Sequence, residues 1–586
     1  MSNIENNFPD DSAKGLTGQG KTLWKRWQAN AEKNPDREAI VHWVAGEEPI
    51  RWTYKSLIDT AKKYSVKAKE AGIKKGDVCA IIMHHNPFFY PLYLGISRMG
   101  ALPAVLAYPN PRLHPDKFRQ GIEGMAQRSG LDYILTEREL DPVIHPLIEK
   151  PGSTIKSVFF PLDWNIETDI DPKLDAEIEQ IAISINEEEP ILLQHSSGTT
   201  GLQKPVILSH RAVLNHAQNL GNALKLSDKD KIVSWLPLYH DFGLIACFQI
   251  PLAFGITTVQ INPFEWVLAP ILLLEAITKE KGTLTCLPNF AYNVLAEKIH
   301  DDELSDISLE SLRLVVNGAE PVRHDSHIKF TEKFVKYGFN PLALTVLYGM
   351  AEVSLCLTLT EPGKPIKELI VDRNELSRGF LKLADENSVK RVSVSCGRLI
   401  DGCDARIVDE NRKDVADGIV GEVAVKSVSM FDGYRNYPEK TAEVVENGWY
   451  FTGDWGFRYQ NEFFIIGRKK DLIIVAGKNI YPEDIEDALN QVDGIIPGRV
   501  ISFGEEDEKM GTEQIAVVAE TKEETEVGRN KIRLDILKAG MAIDVNIHKV
   551  YLVPPRWLIK SSAGKPSRSA NKERILSRED KQVWSR

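Results

Sequence analysis

The chain has 586 residues, which at about 100–200 residues per domain means roughly two to five folding units rather than one core. Hydrophobic residues make up 43% and charged ones 26%, and the net charge of −11 argues against a protein built to coat nucleic acid or acidic lipid. Six scattered cysteines without a CxxC pair argue against a zinc ribbon or a disulfide framework.

In chain order, the polar, acidic N-terminus lacks the basic-then-apolar pattern of a leader. Thr53 predicts a helix cap, with Leu57, Ile58, Ala61, Ser65 and Ala68 on one face. VCAIIM after Gly76 and ALPAVLAY after Gly100 read as buried strands, and further short apolar runs follow at 191–193, 232–235, 257–261, 314–316 and 344–347. Helices alternating with such runs predict an α/β architecture around a largely parallel sheet. The apolar stretch 232–261 is broken by Pro237, His240, Asp241, Gly243 and Pro251, so no membrane span and no integral membrane association are expected, and a reducing cytoplasm is the expected setting. From about residue 395 the texture becomes β-rich (ARIVD, GEVAVKS, WYFTGD, EFFIIGR, DLIIVAG). From about Lys470, strands RVISFG and QIAVVAE mix with helical patterns PEDIEDALNQ and RNKIRLDILKAGM. The predicted fold is thus a large N-terminal α/β domain of several subdomains with a β-rich portion, 1–467, followed by a charged turn and a small α+β domain, 471–586. The segment 549–586 holds ten basic and three acidic residues against the acidic remainder.

The densest chemical signal is the loop Ser196, Ser197, Gly198, Thr199, Thr200, Gly201 and then Lys204, set between the strand ILLQ and the helical stretch HRAVLNHAQNL. N–H and O–H donors on a flexible backbone, closed by one cation, suit a polyphosphate, although the spacing is not that of a Walker A loop. Taken alone, a Ser/Gly/Thr turn is also an ordinary surface loop. With the blocks that follow it, the loop resembles the signature of the acyl-adenylate-forming (AMP-binding) superfamily. The further blocks stand in that family's order: LPLYHDFGL with His240; Asn317, Gly318, Ala319 and Glu320; Tyr348, Gly349, Met350 and Glu352; YFTGD with Asp454; Arg468 to Lys470; and SSAGK with Lys565.

The resemblance implies roles that ordinary chemistry can rationalise. Ser196–Gly201 and Lys204 would wrap the triphosphate of ATP, and Asn317–Glu320 with Tyr348–Met350 would hold adenine. Asp454 would accept the ribose hydroxyls, with Arg468 alongside as a permanent cation. Glu352 and Thr200 would hold Mg²⁺, a hard cation that takes oxygen ligands. Lys565 on a mobile C-terminal domain would neutralise charge as a carboxylate attacks the α-phosphorus, the hinge being 468–470 with Lys470 at its end. His240 would meet the acyl carboxylate, and Phe242, Gly243, Ala246, Cys247 and Asn289 would line the acyl pocket.

Three features point to the fatty acyl-AMP ligase branch: a longer stretch between Glu352 and Cys396-Gly397 (an insertion at about 361–394), the wordings LPLYHDFGLI and PNFAY, and NGAEPV. In that branch the acyl group goes from the adenylate to the phosphopantetheine of an acyl carrier protein. The substrate implied is a fatty or related carboxylic acid. An acyl-CoA synthetase, or a catalytically silent adenylate-binding protein, is the alternative. The basic C-terminal segment would suit an acidic carrier. The loop exit Pro205, without an N–H and with fixed φ, departs from the family pattern, as does Pro566.

Overall fold

The computed structural model describes residues 21–109, 115–195, 203–475, 478–507, 512–560, 566–577 and 583–585. A nine-stranded sheet organises the large domain. Its middle is parallel, running across the sheet in the order Leu344–Gly349, Leu314–Asn317, Leu284–Leu287, Lys231–Ser234, Thr257–Ile261 and Glu38–Trp43. Antiparallel strands Cys356–Leu359 and Ile50–Thr53 flank it. Helices cover both faces, so strands such as Leu314–Asn317 are buried at every position and read as continuous apolar runs. Thr53 caps the helix Tyr54–Glu70 in a capping box with Ser56.

A second, all-parallel sheet holds Leu102–Val105, Val78–Ile82, Tyr133–Thr136 and Ser157–Phe159. The described residues on either side of the phosphate-loop candidate are two paired strands. Strand Pro190–His195 pairs antiparallel with Pro205–Ser209, and the helix His210–Ala223 begins only afterwards. The sequence pattern placed the loop directly before the helix. The short strand between them is the difference, and Pro205 occupies its first position, where the missing N–H costs no ladder bond.

The β-rich portion is an antiparallel sheet of Cys403–Val408, Gly421–Ser427, Trp449–Tyr459 and Glu462–Arg468, with Val445–Glu446 at its edge. Against it packs a two-stranded unit, Glu368–Asp372 with Lys390–Val394, formed by the stretch read as an insertion. Its Leu369, Val371 and Leu376 share a core with Phe457, Phe464, Ile466 and Tyr481. Beyond residue 472, strands Ile495–Asp507, Thr512–Thr521 and Ile547–Val553 form a sheet that packs on helices Pro482–Asn490 and Glu526–Ala542. Ile485, Leu489, Val517, Ile532, Ile536 and Leu552 make a core of its own there. No helix among the described residues is long and apolar enough to cross a membrane.

Candidate active site

Four neighbouring parallel strands deliver candidate residues at their carboxyl ends, where open α/β sheets bind ligands. Lys231–Ser234 leads to His240, Leu284–Leu287 to Asn289, Leu314–Asn317 to Gly318–Glu320, and Leu344–Gly349 to Glu352. Asn317 is fully buried, and its Nδ2 donates to Asn289 Oδ1 at 3.2 Å and meets His327 Nε2 at 2.9 Å. Burial holds His327 down at about 4, so this nitrogen accepts. Asn289 also donates to Ser326 Oγ at 3.0 Å and accepts from Arg323 N at 2.9 Å. The structure thus joins Asn289 to the Asn317 segment. Ala319 takes a left-handed φ of 69°, and Glu320 Oε1 accepts from Phe290 N at 3.2 Å. A side chain at Gly349 would lie 1.7 Å from Leu355 O, so only glycine fits there.

Glu352 is 5% exposed, and Tyr434 donates its hydroxyl to Glu352 Oε1 at 2.6 Å. Lys204 reaches the same hydroxyl at 3.5 Å, with its ammonium 4.9 Å from the Tyr434 ring centre. Burial lowers Lys204 from the ordinary lysine range, Glu352 opposes the shift, and the positive charge of Arg468 adds to it. Burial and the neighbouring Glu352 both raise the Tyr434 phenol.

Strands Trp449–Tyr459 and Glu462–Arg468 place Asp454 directly opposite Arg468. Asp454 Oδ2 accepts from the Tyr348 hydroxyl at 2.9 Å, and its Oδ1 lies 3.1 Å from Arg468 Nε. Asp454 holds the guanidinium, itself half-exposed, well above its usual value. Partial desolvation lowers Lys470, and the charges of Arg468 and Lys204 push it further against the pull of Asp471 and Asp454. Three cations therefore sit close enough to repel one another beside two carboxylates. Such a cluster is relieved by a polyanion.

His240 follows a turn fixed by Gln194 Nε2, which donates to Tyr239 O at 3.0 Å. Its Nδ1 lies 2.7 Å from Asp241 Oδ1, and the same oxygen accepts from Phe242 N at 2.7 Å. Asp241 thereby orients the imidazole and starts the next turn. Phe242–Gln249 is a π-helical stretch with every residue buried. The wide turn frees carbonyls, and Cys247 O accepts from Thr258 Oγ1 at 2.7 Å and Gln260 Nε2 at 2.8 Å. Gly243 is forced, since a Cβ there would lie 2.3 Å from Pro237 O. Phe242, Ala246 and Cys247 are packed in the main core.

Ser196, Ser197, Gly198, Thr199, Thr200, Gly201 and Lys565 lie outside the described residues. Lys204, Glu352, Tyr348, Asp454, Arg468 and Lys470 come together in one region. Sequence reasoning missed Tyr434, whose setting FDGYRN is that of any turn, although its hydroxyl joins Lys204 to Glu352. The Glu352 carboxylate, buried with one oxygen braced, fits a magnesium ion that would take its remaining ligands from phosphates and water. A separate His84, Glu137 and Glu139 group has metal-ligand spacing on the surface, but those side chains already bond one another.

A family model described as AMP-binding enzyme matches residues 27–435. The chain is 28% identical to the medium-chain-fatty-acid--[acyl-carrier-protein] ligase JamA of Moorena producens, over 95% of each chain. It is 29% identical to the long-chain-fatty-acid--AMP ligase FadD26 of Mycobacterium marinum, over 86% of this chain and 88% of that one. The solved structure of fatty acyl-adenylate ligase from L. pneumophila, in complex with acyl adenylate and pyrophosphate, superposes with a TM-score of 0.71. It is 25% identical, covering 97% of this chain and 98% of that one.

Proposed function

From a chain that belongs to the AMP-binding enzyme family, we propose an enzyme that joins a fatty or related carboxylic acid to AMP and then passes the acyl group to the phosphopantetheine thiol of an acyl carrier protein. One observation carries the first step: Lys204, Arg468 and Lys470 gather beside Glu352 and the Tyr348–Asp454 pair. ATP would lay its ribose hydroxyls on Asp454, its adenine by Tyr348 and the Asn317–Glu320 turn, and its phosphates among the cations. The substrate carboxylate oxygen attacks the α-phosphorus, the bond to the β-phosphate oxygen breaks, and pyrophosphate leaves. Negative charge crowds at that moment, so placed cations and donors supply most of the acceleration, about 10²–10³ for a single well-aimed donor. Lys565 is the proposed donor from the small domain. His240, held by Asp241, would present Nε2 to the incoming carboxylate. Magnesium on Glu352 and Thr200 would neutralise phosphate charge.

The acceptor reading draws support from the JamA likeness and from the insertion, which grips the small domain. Arg391 Nη1 bonds Asp484 Oδ2 at 2.9 Å, and Arg373 Nη1 reaches Ile543 O at 3.5 Å. A family in which that grip limits domain rotation would disfavour free CoA. The test is acid-dependent exchange of labelled pyrophosphate into ATP across a panel of chain lengths, followed by single-turnover transfer to holo-carrier protein or CoA, read by mass spectrometry. Exchange and carrier acylation are expected. Rapid acyl-CoA turnover would move the chain to the synthetases, and no exchange with any acid would mark it as silent.

A further inference from the structure

Where His195 pairs with Pro205, the two strands Pro190–His195 and Pro205–Ser209 are tied to one residue that belongs to neither. Ser129 ends the helix Pro115–Ser129, whose Phe118, Ile122 and Ala126 share a core with Ile134 of the second sheet and with Leu193 of the first strand. The Ser129 hydroxyl and His195 Nε2 share a hydrogen bond of 2.8 Å. The Ser129 carbonyl accepts from Arg435 Nε at 3.0 Å, and Arg435 N donates to Pro205 O at 2.9 Å. Because His195 lies opposite Pro205, these links close a ring. Ser129 is fully buried and His195 is 4% exposed, so breaking the bond between them strands buried polar groups. The helix end meets the turn around Arg435 at two further points. Arg128 lies 5.1 Å from the Tyr437 ring centre, and a Cβ at Gly130, which has a left-handed φ of 62°, would come within 3.0 Å of Asn436 Nδ2.

The ring bears on Lys204 and Tyr434. A residue before proline is confined to extended backbone, so a fixed Pro205 also fixes the direction of Lys204. Val206 and Tyr434 pair as an antiparallel bridge, and Ile207 N donates to Gly433 O at 3.1 Å. Tyr434 in turn carries its hydroxyl to Glu352 and Lys204.

We propose that Ser129 is a positioning residue: through His195 on one side and Arg435 on the other, it sets where Lys204 and Tyr434 stand beside Glu352, and so how the site receives the triphosphate of ATP. This rests on the adenylation reading. Burial holds His195 down at about 4, so its ring is neutral wherever the enzyme would be assayed near neutral pH. A misplacement of about 1 Å at a site of this kind costs about 10²-fold in rate, so a modest shift of Lys204 is readable in kinetics.

Two measurements test it. In acid-dependent pyrophosphate exchange, Ser129→Ala and His195→Leu are each expected to raise the KM for ATP about tenfold, with the KM for the acid within about twofold. His195→Gln, whose amide reaches about as far as Nε2, is expected to stay within about threefold of wild type, and the double variant Ser129→Ala/His195→Leu to be no worse than either single one, since all break one bond. The second readout needs no activity. Acetylation of half-buried Lys204 relative to exposed Lys229, read by mass spectrometry in the whole protein, is expected to quicken about threefold or more in Ser129→Ala and in Arg435→Met. Arg435 is only half-buried, so its variant carries the test should Ser129→Ala fail to fold. A Lys204 rate that neither substitution moves, or a KM for the acid that rises together with that for ATP, overturns the proposal. Wild-type protein without acid-dependent exchange would overturn the adenylation reading instead, and the Lys204 rate would still decide whether Ser129 places that lysine.

Discussion

A carboxylate as buried as Glu352 needs partners, and Tyr434 supplies one to Oε1 at 2.6 Å while its ring lies under Lys204. Removing a donor to a charged group costs about 1.5–3 kcal/mol, so Tyr434→Phe should lose stability of that order in urea unfolding. If Glu352 holds magnesium, the loss of its brace should also raise the Mg²⁺ concentration for half-maximal exchange about tenfold, as removing second partners of metal ligands commonly does. An unchanged magnesium dependence would separate Glu352 from the metal. The residues of this cluster differ in how readable they were. Lys204, Glu352, Tyr348, Asp454 and Arg468 sit in motifs whose order identifies them. Tyr434 is 82 residues from Glu352 in a turn of unremarkable composition, and it is brought in by the pairing of residues 205–207 with 433–435 and by Phe431 N, which donates to Glu352 O at 2.9 Å.

At the scale of elements, the π-helical stretch after His240 is held to its turn by a contact that admits no side chain. The 2.3 Å approach of a Cβ at Gly243 to Pro237 O would force backbone apart in a packed core, at about 1–3 kcal/mol. Gly243→Ala is therefore expected to lower the thermal midpoint and to cut acid-dependent exchange, because the shift propagates to His240. Gly121→Ala is the matching control. It lies in the helix Pro115–Ser129 with nothing within 4 Å of a Cβ, and should stabilise by about 0.5–1 kcal/mol. A Gly243→Ala variant as stable and active as wild type would show that the turn is not fixed there. The parallel strands were legible because burial on both faces writes them as short apolar runs after glycines. The π-helical stretch was not, since a segment apolar all round carries no period to read. The strand Pro205–Ser209 was hidden for a related reason: five residues opened by a proline look like the end of a loop.

Across the whole molecule, the acidic excess of the chain has a structural use where its parts meet. Helix Pro482–Asn490 presents Glu483, Asp484, Glu486 and Asp487, the first two in its first turn, where carboxylates also favour the helix dipole. Arg568 of its own domain takes Glu483, Glu486 and Asp471. Arg391 and Arg373 of the insertion take Asp484, and Arg323 of the large domain pairs with Asp487 and donates to Glu483 O. The basic C-terminal stretch is thus partly committed within the protein. Asp484 is 6% exposed and the Arg391 side chain 10%, so Asp484→Ala leaves a nearly buried guanidinium at the seam that keeps its bond to Ile466 O but loses its carboxylate, a loss of about 3–5 kcal/mol for a buried pair. That energy falls on domain attachment, because the core around Ile485 and Val517 is separate from the seam. The expected result is faster tryptic cleavage around Arg468–Lys470 with the thermal midpoint of the large domain little changed. The same variant should form more acyl-CoA relative to acyl-carrier product if the grip limits rotation. Cleavage as slow as wild type would mean that apolar contacts, not this arginine–aspartate seam, hold the small domain.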